Sequence, residues 1–168
     1  MIYDDFDEFY AKYVVPVYRY CFLRLGSKET AEDITQVVFE KVWKNRDNYT
    51  ERGRPALAFL FTVARNSIID HLRRNVPIPL DPQSVAFTTI PDEENDPRTP
   101  SQQREAIEQV YENLQKLDPQ SREIVTMRYL SELDYEDIAK VTGKKEATIR
   151  QVVSRSLKAL RENIYKND

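Results

Sequence analysis

Arginine, glutamine, serine and lysine recur at helical spacing in "EATIRQVVSRSLKAL", residues 146–160. A step of about 100° per residue gathers Ile149, Val152, Val153, Leu157 and Leu160 on one side. Ala147, Arg150, Gln151, Ser154, Lys158 and Arg161 fall opposite, with Thr148 and Arg155 at an edge. The apolar stripe would anchor the helix. The other stripe offers forked donors, an amide and short hydroxyls. Arginine pairs with guanine, glutamine with adenine, and serine or threonine with phosphate. A solvated basic surface would also look like this. The preceding stretch favours DNA. "YEDIAKVTGKKEATIRQVV" has a short helix, a small Ala139 where two helices would approach, and Gly143 in the turn, as a helix-turn-helix requires.

Two other faces repeat the theme. In "AEDITQVVFEKVWKNR", Ile34, Val37, Val38 and Val42 form an inner stripe. Asp33, Gln36, Glu40 and Trp43 form a second, with Phe39 beside it. An aromatic among polar groups suits a protein-docking hot spot. It equally suits a core finished by Phe39 and Trp43 with solvated acids, and spacing alone leaves both open. In "ALAFLFTVARNSIIDHLRR", Leu57, Leu60, Phe61, Ala64, Ile68 and Leu72 face inward, while Phe59, Thr62, Asn66, Asp70 and Arg73 lie elsewhere. Asparagine reads a base edge and an exposed aromatic stacks on an unpaired base. "RDNYTERGR" just before it adds Tyr49 and three arginines. The mixture suits a separated strand, against the plainer reading of a capped helix with a basic end.

These faces need helices to hold them. The 168 residues include only three glycines, and apolar positions follow helical spacing almost throughout. The expectation is an all-α protein of two small helical domains, 1–75 and 104–168, joined by a linker at 76–103, against the alternative of one single domain with an ordered proline-rich loop over it. That linker, "VPIPLDPQSVAFTTIPDEENDPRTPSQQ", holds six of the nine prolines and an acidic run. The first helix is expected over about 4–25, kinked or divided at Pro16 and closed by Gly26. "TAED" at 30–33 resembles a capping box opening a second helix over about 31–47. Pro55 opens a third, to about Arg74. Asp118 caps a helix carrying Ile124, Val125 and Leu130, and another follows Asp134.

Net charge is −3, which argues against sequence-blind coating of nucleic acid. Its distribution is uneven. Residues 144–168 carry seven basic and three acidic groups, whereas 76–143 carry six and fourteen. A local field steers a polyanion to one surface. One cysteine, Cys21, rules out an internal disulfide, and with the single His71 it leaves no expected metal site or cofactor. No nucleophile–base pair or phosphate loop points to an enzyme. No leader or membrane-length apolar run is visible, so the expected location is the cytoplasm.

Taken together, "AEDITQVVFEKVWKN", "FLFTVARNSIIDHLRR" and "LDPQSREIVTMRYLSELDYEDIAKVTGKKEATIRQVVSRSLKAL" resemble, in that order, three parts of the bacterial sigma factors of the extracytoplasmic-function group. They match the core-binding helix of region two, its −10 recognition helix, and the helix-turn-helix of region four. The resemblance implies a promoter-specificity subunit, not an enzyme. Asp33, Gln36, Phe39, Glu40 and Trp43 would dock on the polymerase β′ coiled coil. Tyr49, Phe59, Thr62, Arg65, Asn66, Arg73 and Arg74 would meet −10 DNA, with Asn66 near a flipped base. Thr148, Arg150, Gln151, Ser154, Arg155 and Lys158 would read −35 DNA, with region four also on the β-flap. It further implies an anti-sigma factor as partner. The family usually has an acid where this chain has Val37, often Trp where Phe59 stands, and an arginine where Leu57 stands. A stand-alone helix-turn-helix regulator is the alternative, and it leaves the Asp33–Trp43 face without a role.

Overall fold

A computed structural model describes residues 5–46, 55–74 and 100–166 of the chain. Seven α-helices and one π-helical turn make up its elements, and no strand occurs among the described residues. The helices are α1 (Phe6–Leu25), α2 (Lys28–Lys44), α3 (Ala56–Arg74), α4 (Pro100–Gln115), α5 (Pro119–Val125), α6 (Tyr135–Thr142) and α7 (Glu146–Lys166). The π-helical turn, Thr126–Leu130, continues α5.

Local chemistry sets the boundaries. Asp5 caps α1 by accepting from the backbone N–H groups of Asp7 and Glu8, each at 3.1 Å. The helix runs unbroken through Pro16, so of the two outcomes expected there, division does not occur. Gly26 ends it at φ 67°, a left-handed position that costs glycine nothing. The next helix begins three residues earlier than expected. Ser27, extended, accepts from Thr30 N–H at 3.3 Å and so takes the capping role given to Thr30. Directly after a left-handed glycine, an extended serine can restart the helix with no spacer. Pro55 sits just before α3, where its carbonyl accepts from Ala58 and Phe59. Helix α4 starts at Pro100, inside the segment expected to be linker; proline suits a first helical position. The rest of that segment, 76–99, lies outside the described residues. Asp118 caps α5 through Ser121 N–H at 3.0 Å, and those bonds hold its carboxyl below the ordinary range.

The π-helical turn was not expected. Ser131 N–H reaches back to Thr126 O at 3.2 Å, and Glu132 follows at φ 54°. A non-glycine residue there is strained by about 1–2 kcal/mol. The wide turn buries Met127 completely and leaves Leu130, which the sequence grouped with Ile124 and Val125, 43% exposed. Asp134 then precedes α6 in an extended conformation, without a side-chain capping bond.

Helices α1–α3 pack on one another, and α5–α7 do the same. The two units also meet: α5 lies on α1 and α6 on α3. One core runs through both, with Tyr20, Leu60, Phe61 and Ile68 from the first and Ile124, Met127, Ile138 and Ile149 from the second, all fully buried. Tyr20 stacks on Phe61 with centroids 4.6 Å apart. Each such side chain contributes about 1.5–3 kcal/mol of burial.

Candidate nucleic-acid and partner interfaces

Helix α7 is built as its spacing requires. Ile149 and Val153 are buried, and Val152, Leu157 and Leu160 are half-buried. Ser156 is buried beside them, one heptad on from Ile149. Thr148, Arg150, Gln151, Ser154, Arg155 and Lys158 are all exposed along the other side. Gly143, at φ 71°, makes the turn between α6 and α7. Leu133 and Ile138 in the first arm and Ile149 and Val153 in the second belong to the shared core, with Ala139 packed against it. The exposed face of α7 is therefore held by a side that is packed into the core.

Arg150 is held by two neighbours. Its Nε and Nη2 donate to Glu146 Oε1 at 3.0 and 2.6 Å, one turn back on the same helix. Its guanidinium lies 4.3 Å from the Tyr135 ring centroid, and that of Arg128 lies 4.8 Å from the same ring. The Glu146–Arg150 spacing of four is legible in the sequence. Tyr135 is not, because it meets Arg150 only once the helix-turn-helix closes.

On α2, Asp33, Gln36, Glu40 and Trp43 are exposed together, and Val37, expected on the inner stripe, is 36% exposed among them. Phe39 departs from this face. It is buried, 4.8 Å from the Tyr10 ring and 6.3 Å from Phe9, so it supports the surface from beneath. Trp43 is 43% exposed yet steadied, with Phe6 edge-on at 4.7 Å and the Arg46 guanidinium over its ring at 4.3 Å. Glu40 bonds Lys44, which holds its carboxyl below the ordinary range. The result is an exposed aromatic side chain, packed from two sides, among Asp33, Gln36 and Glu40.

The third face is only partly free. Asn66, Arg73 and Arg74 are exposed; Phe59 and Thr62 are half-buried, and Thr62 Oγ1 donates to Ala58 O at 2.9 Å. Tyr49 and the loop at 49–54 lie outside the described residues. Arg65 points into the junction between the two helical units. Its Nε donates to Glu123 Oε1 at 3.1 Å. Arg24 Nη1 and the Tyr20 hydroxyl donate to the same oxygen at 2.5 and 2.6 Å. Burial raises the Tyr20 hydroxyl pKa well above its usual value, with Glu123 adding to the effect, so it stays a donor. Nothing in the spacing of Glu123 signals this junction.

Among the described residues no cluster of histidine, cysteine or carboxylates could hold a metal, and no helix is long and apolar enough to cross a membrane.

Residues 9–77 match the family model for sigma-70 region 2, and residues 107–160 that for sigma-70 region 4. The chain is similar to the ECF RNA polymerase sigma factor SigM of Bacillus subtilis, at 30% identity over 159 residues, covering 92% of each chain. It is similar to the ECF RNA polymerase sigma factor BldN of Streptomyces coelicolor, at 31% identity over 157 residues, 94% of this chain. It spans 59% of the length of BldN. Its fold is shared with the sigma factor RpoE of Bartonella quintana, solved with the anti-sigma factor NepR, at a TM-score of 0.71 and 23% identity over 96% of this chain and 97% of that one. CnrH, solved with the cytosolic domain of CnrY, gives a TM-score of 0.68 at 20% identity, over 97% and 89%.

Proposed function

This chain belongs to the extracytoplasmic-function RNA polymerase sigma factors, subunits that bind core polymerase and direct promoter-specific initiation, and from that premise we propose which of its surfaces does what. The reading rests above all on one observation: six DNA-competent side chains of α7 are exposed on one face of a helix whose opposite face is locked into the core.

In this reading α7 enters the major groove of the −35 duplex through its N-terminal half. Arg150 and Gln151 read base edges, while Thr148, Ser154, Arg155 and Lys158 hold the backbone. The face of α2 docks on the β′ coiled coil through Asp33, Gln36, Glu40 and Trp43, with Phe39 as its support. Region four also meets the β-flap. The face of α3, with Phe59, Thr62, Arg65, Asn66, Arg73 and Arg74, and Tyr49 before it, takes the separated −10 strand. Extruding a base costs a few kcal/mol, which stacking and hydrogen bonds must offset. The domains are those of the sequence with one boundary moved: 1–75, and a second unit that begins with α4 at Pro100 rather than at 104, joined by 76–99. The chain has no catalytic activity and no cofactor; the polymerase supplies the chemistry. It works in the cytoplasm, and an anti-sigma factor, common in this group, holds it when idle.

The test is transcription from a genomic template by purified chain and sigma-free bacterial core polymerase, with the RNA 5′ ends sequenced. Discrete starts sharing two upstream motifs are expected. Absence of initiation, with specific duplex binding by the chain alone retained, would return the reading to a stand-alone regulator.

A further inference from the structure

The junction around Glu123 is more than packing. Glu123 is 5% exposed, and all three donors to its Oε1 come from the other helical unit: Tyr20 and Arg24 on α1 and Arg65 on α3. Arg24 is 14% exposed and Arg65 26%. Two guanidinium groups share one carboxylate, so the cluster keeps an unmatched positive charge even with Glu123 in place. Take Glu123 away and two arginines, held by packed helices beside a tyrosine hydroxyl, face outward with no counter-ion. That set of forked donors matches a phosphate oxygen as well as a carboxylate.

The chain must open to do its work. A compact chain of 168 residues is about 40 Å across. The −35 and −10 elements lie about 25 base pairs apart, about 85 Å of duplex. The 25 residues between Arg74 and Pro100 reach at most about 85 Å when extended. Reading both elements at once therefore separates α5–α7 from α1–α3 and withdraws Glu123 from its donors. Arg65 itself belongs to the set proposed for the −10 strand, with Thr62 three residues before it on α3, so the vacated site adjoins the backbone of that strand.

We propose that Tyr20, Arg24 and Arg65 form an anion site of region two, filled from within by the Glu123 carboxylate in the closed chain and by a backbone phosphate of the −10 strand in the open one. The carboxylate thus stands in for DNA while the factor is free. This rests on the sigma-factor reading and adds to it a latch and a DNA contact on α1, far in sequence from the −10 helix.

The two sides of the latch behave alike before opening and differently after it. Full-length Glu123→Gln and Arg24→Gln are titrated with core polymerase. Each loosens the closed form, so each binds core more tightly than the unchanged chain, by up to about tenfold if the open form is about a tenth of the free population. Glutamine at 123 keeps the length of the side chain but turns an amide toward the guanidinium groups. The assembled holoenzymes are then compared on one promoter across a salt series. Glu123→Gln keeps the unchanged promoter affinity. Arg24→Gln lowers it, with a log–log salt slope shallower by about 0.7, as for one lost single-strand phosphate contact. Arg65→Gln gives the same pair of results and serves if Arg24→Gln does not fold. Core affinities equal to the unchanged chain would overturn the latch. An unaltered salt slope with both arginine variants would overturn the phosphate site. A chain that binds no core at all would remove the reading beneath both.

Discussion

Arg150 and Arg65 are each chosen from the sequence as arginines for DNA, and each is paired with a glutamate, but the pairs have opposite meanings. Glu146 lies one turn from Arg150 on the same exposed surface, where an ion pair is worth little and exchanges readily for a base edge. Glu123 lies 58 residues from Arg65 and is buried between two helical units. Trading that partner requires a change of shape. In the proposed reading one arginine is poised for its ligand and the other is withheld from it. Exposure, not residue type, separates them.

The comparison can be strained first at its foundation. Ile149→Ala empties a fully buried position beneath the α7 face and should cost about 2–5 kcal/mol in a denaturant titration, with −35 binding falling alongside. Unchanged stability would mean that the reading face does not depend on this platform.

The next test sets the two arginines side by side. Arg65→Ala removes a donor from a buried carboxylate and should lower stability by about 1–2 kcal/mol, a range reduced for its partial exposure. Arg150→Ala should leave stability within about 0.5 kcal/mol and weaken −35 duplex binding by about 1–3 kcal/mol in a direct titration. Equal effects on melting would erase the distinction. Undiminished duplex affinity would remove Arg150 from the −35 site.

The smallest effect concerns the buried half of the comparison alone. Burial pushes the Cys21 thiol from 9.0 up to about 12 and raises Tyr20 as well. Because the folded pKa is the higher one, the unfolded chain loses these protons first as pH rises. The stability is complete below pH 9 and declines from there toward 12, at up to about 1.4 kcal/mol per pH unit for one group. Melts at pH 8 and pH 10 should differ, and Cys21→Ala should remove part of the difference. Equal melts at the two values would contradict the burial.

The same contrast explains what the sequence made legible. The α7 face could be read residue by residue, because it is a periodic property of one helix; buried Ser156 was not on the expected stripe, although it lies one heptad on from Ile149. The α2 face was readable apart from two residues: Val37, expected on the inner stripe but exposed, and Phe39, whose burial depends on Tyr10 and Phe9 from another helix. Ser27 was overlooked because "TAED" offers a capping pattern of its own three residues on. The π-helical turn at 126–130 left no periodic trace, since it takes only one short segment out of register. Glu123 was the least legible of all. Its partners lie 58, 99 and 103 residues away in the chain, and only the packed fold brings them together.

The most direct measurement of the proposed division of labour is a genome-wide map of RNA 5′ ends made by core polymerase with the unchanged chain, with Arg150→Ala and with Asn66→Ala. The prediction is that Arg150→Ala relaxes the motif near −35 and leaves that near −10, while Asn66→Ala does the reverse. Both variants altering the same motif, or neither altering any, would contradict it.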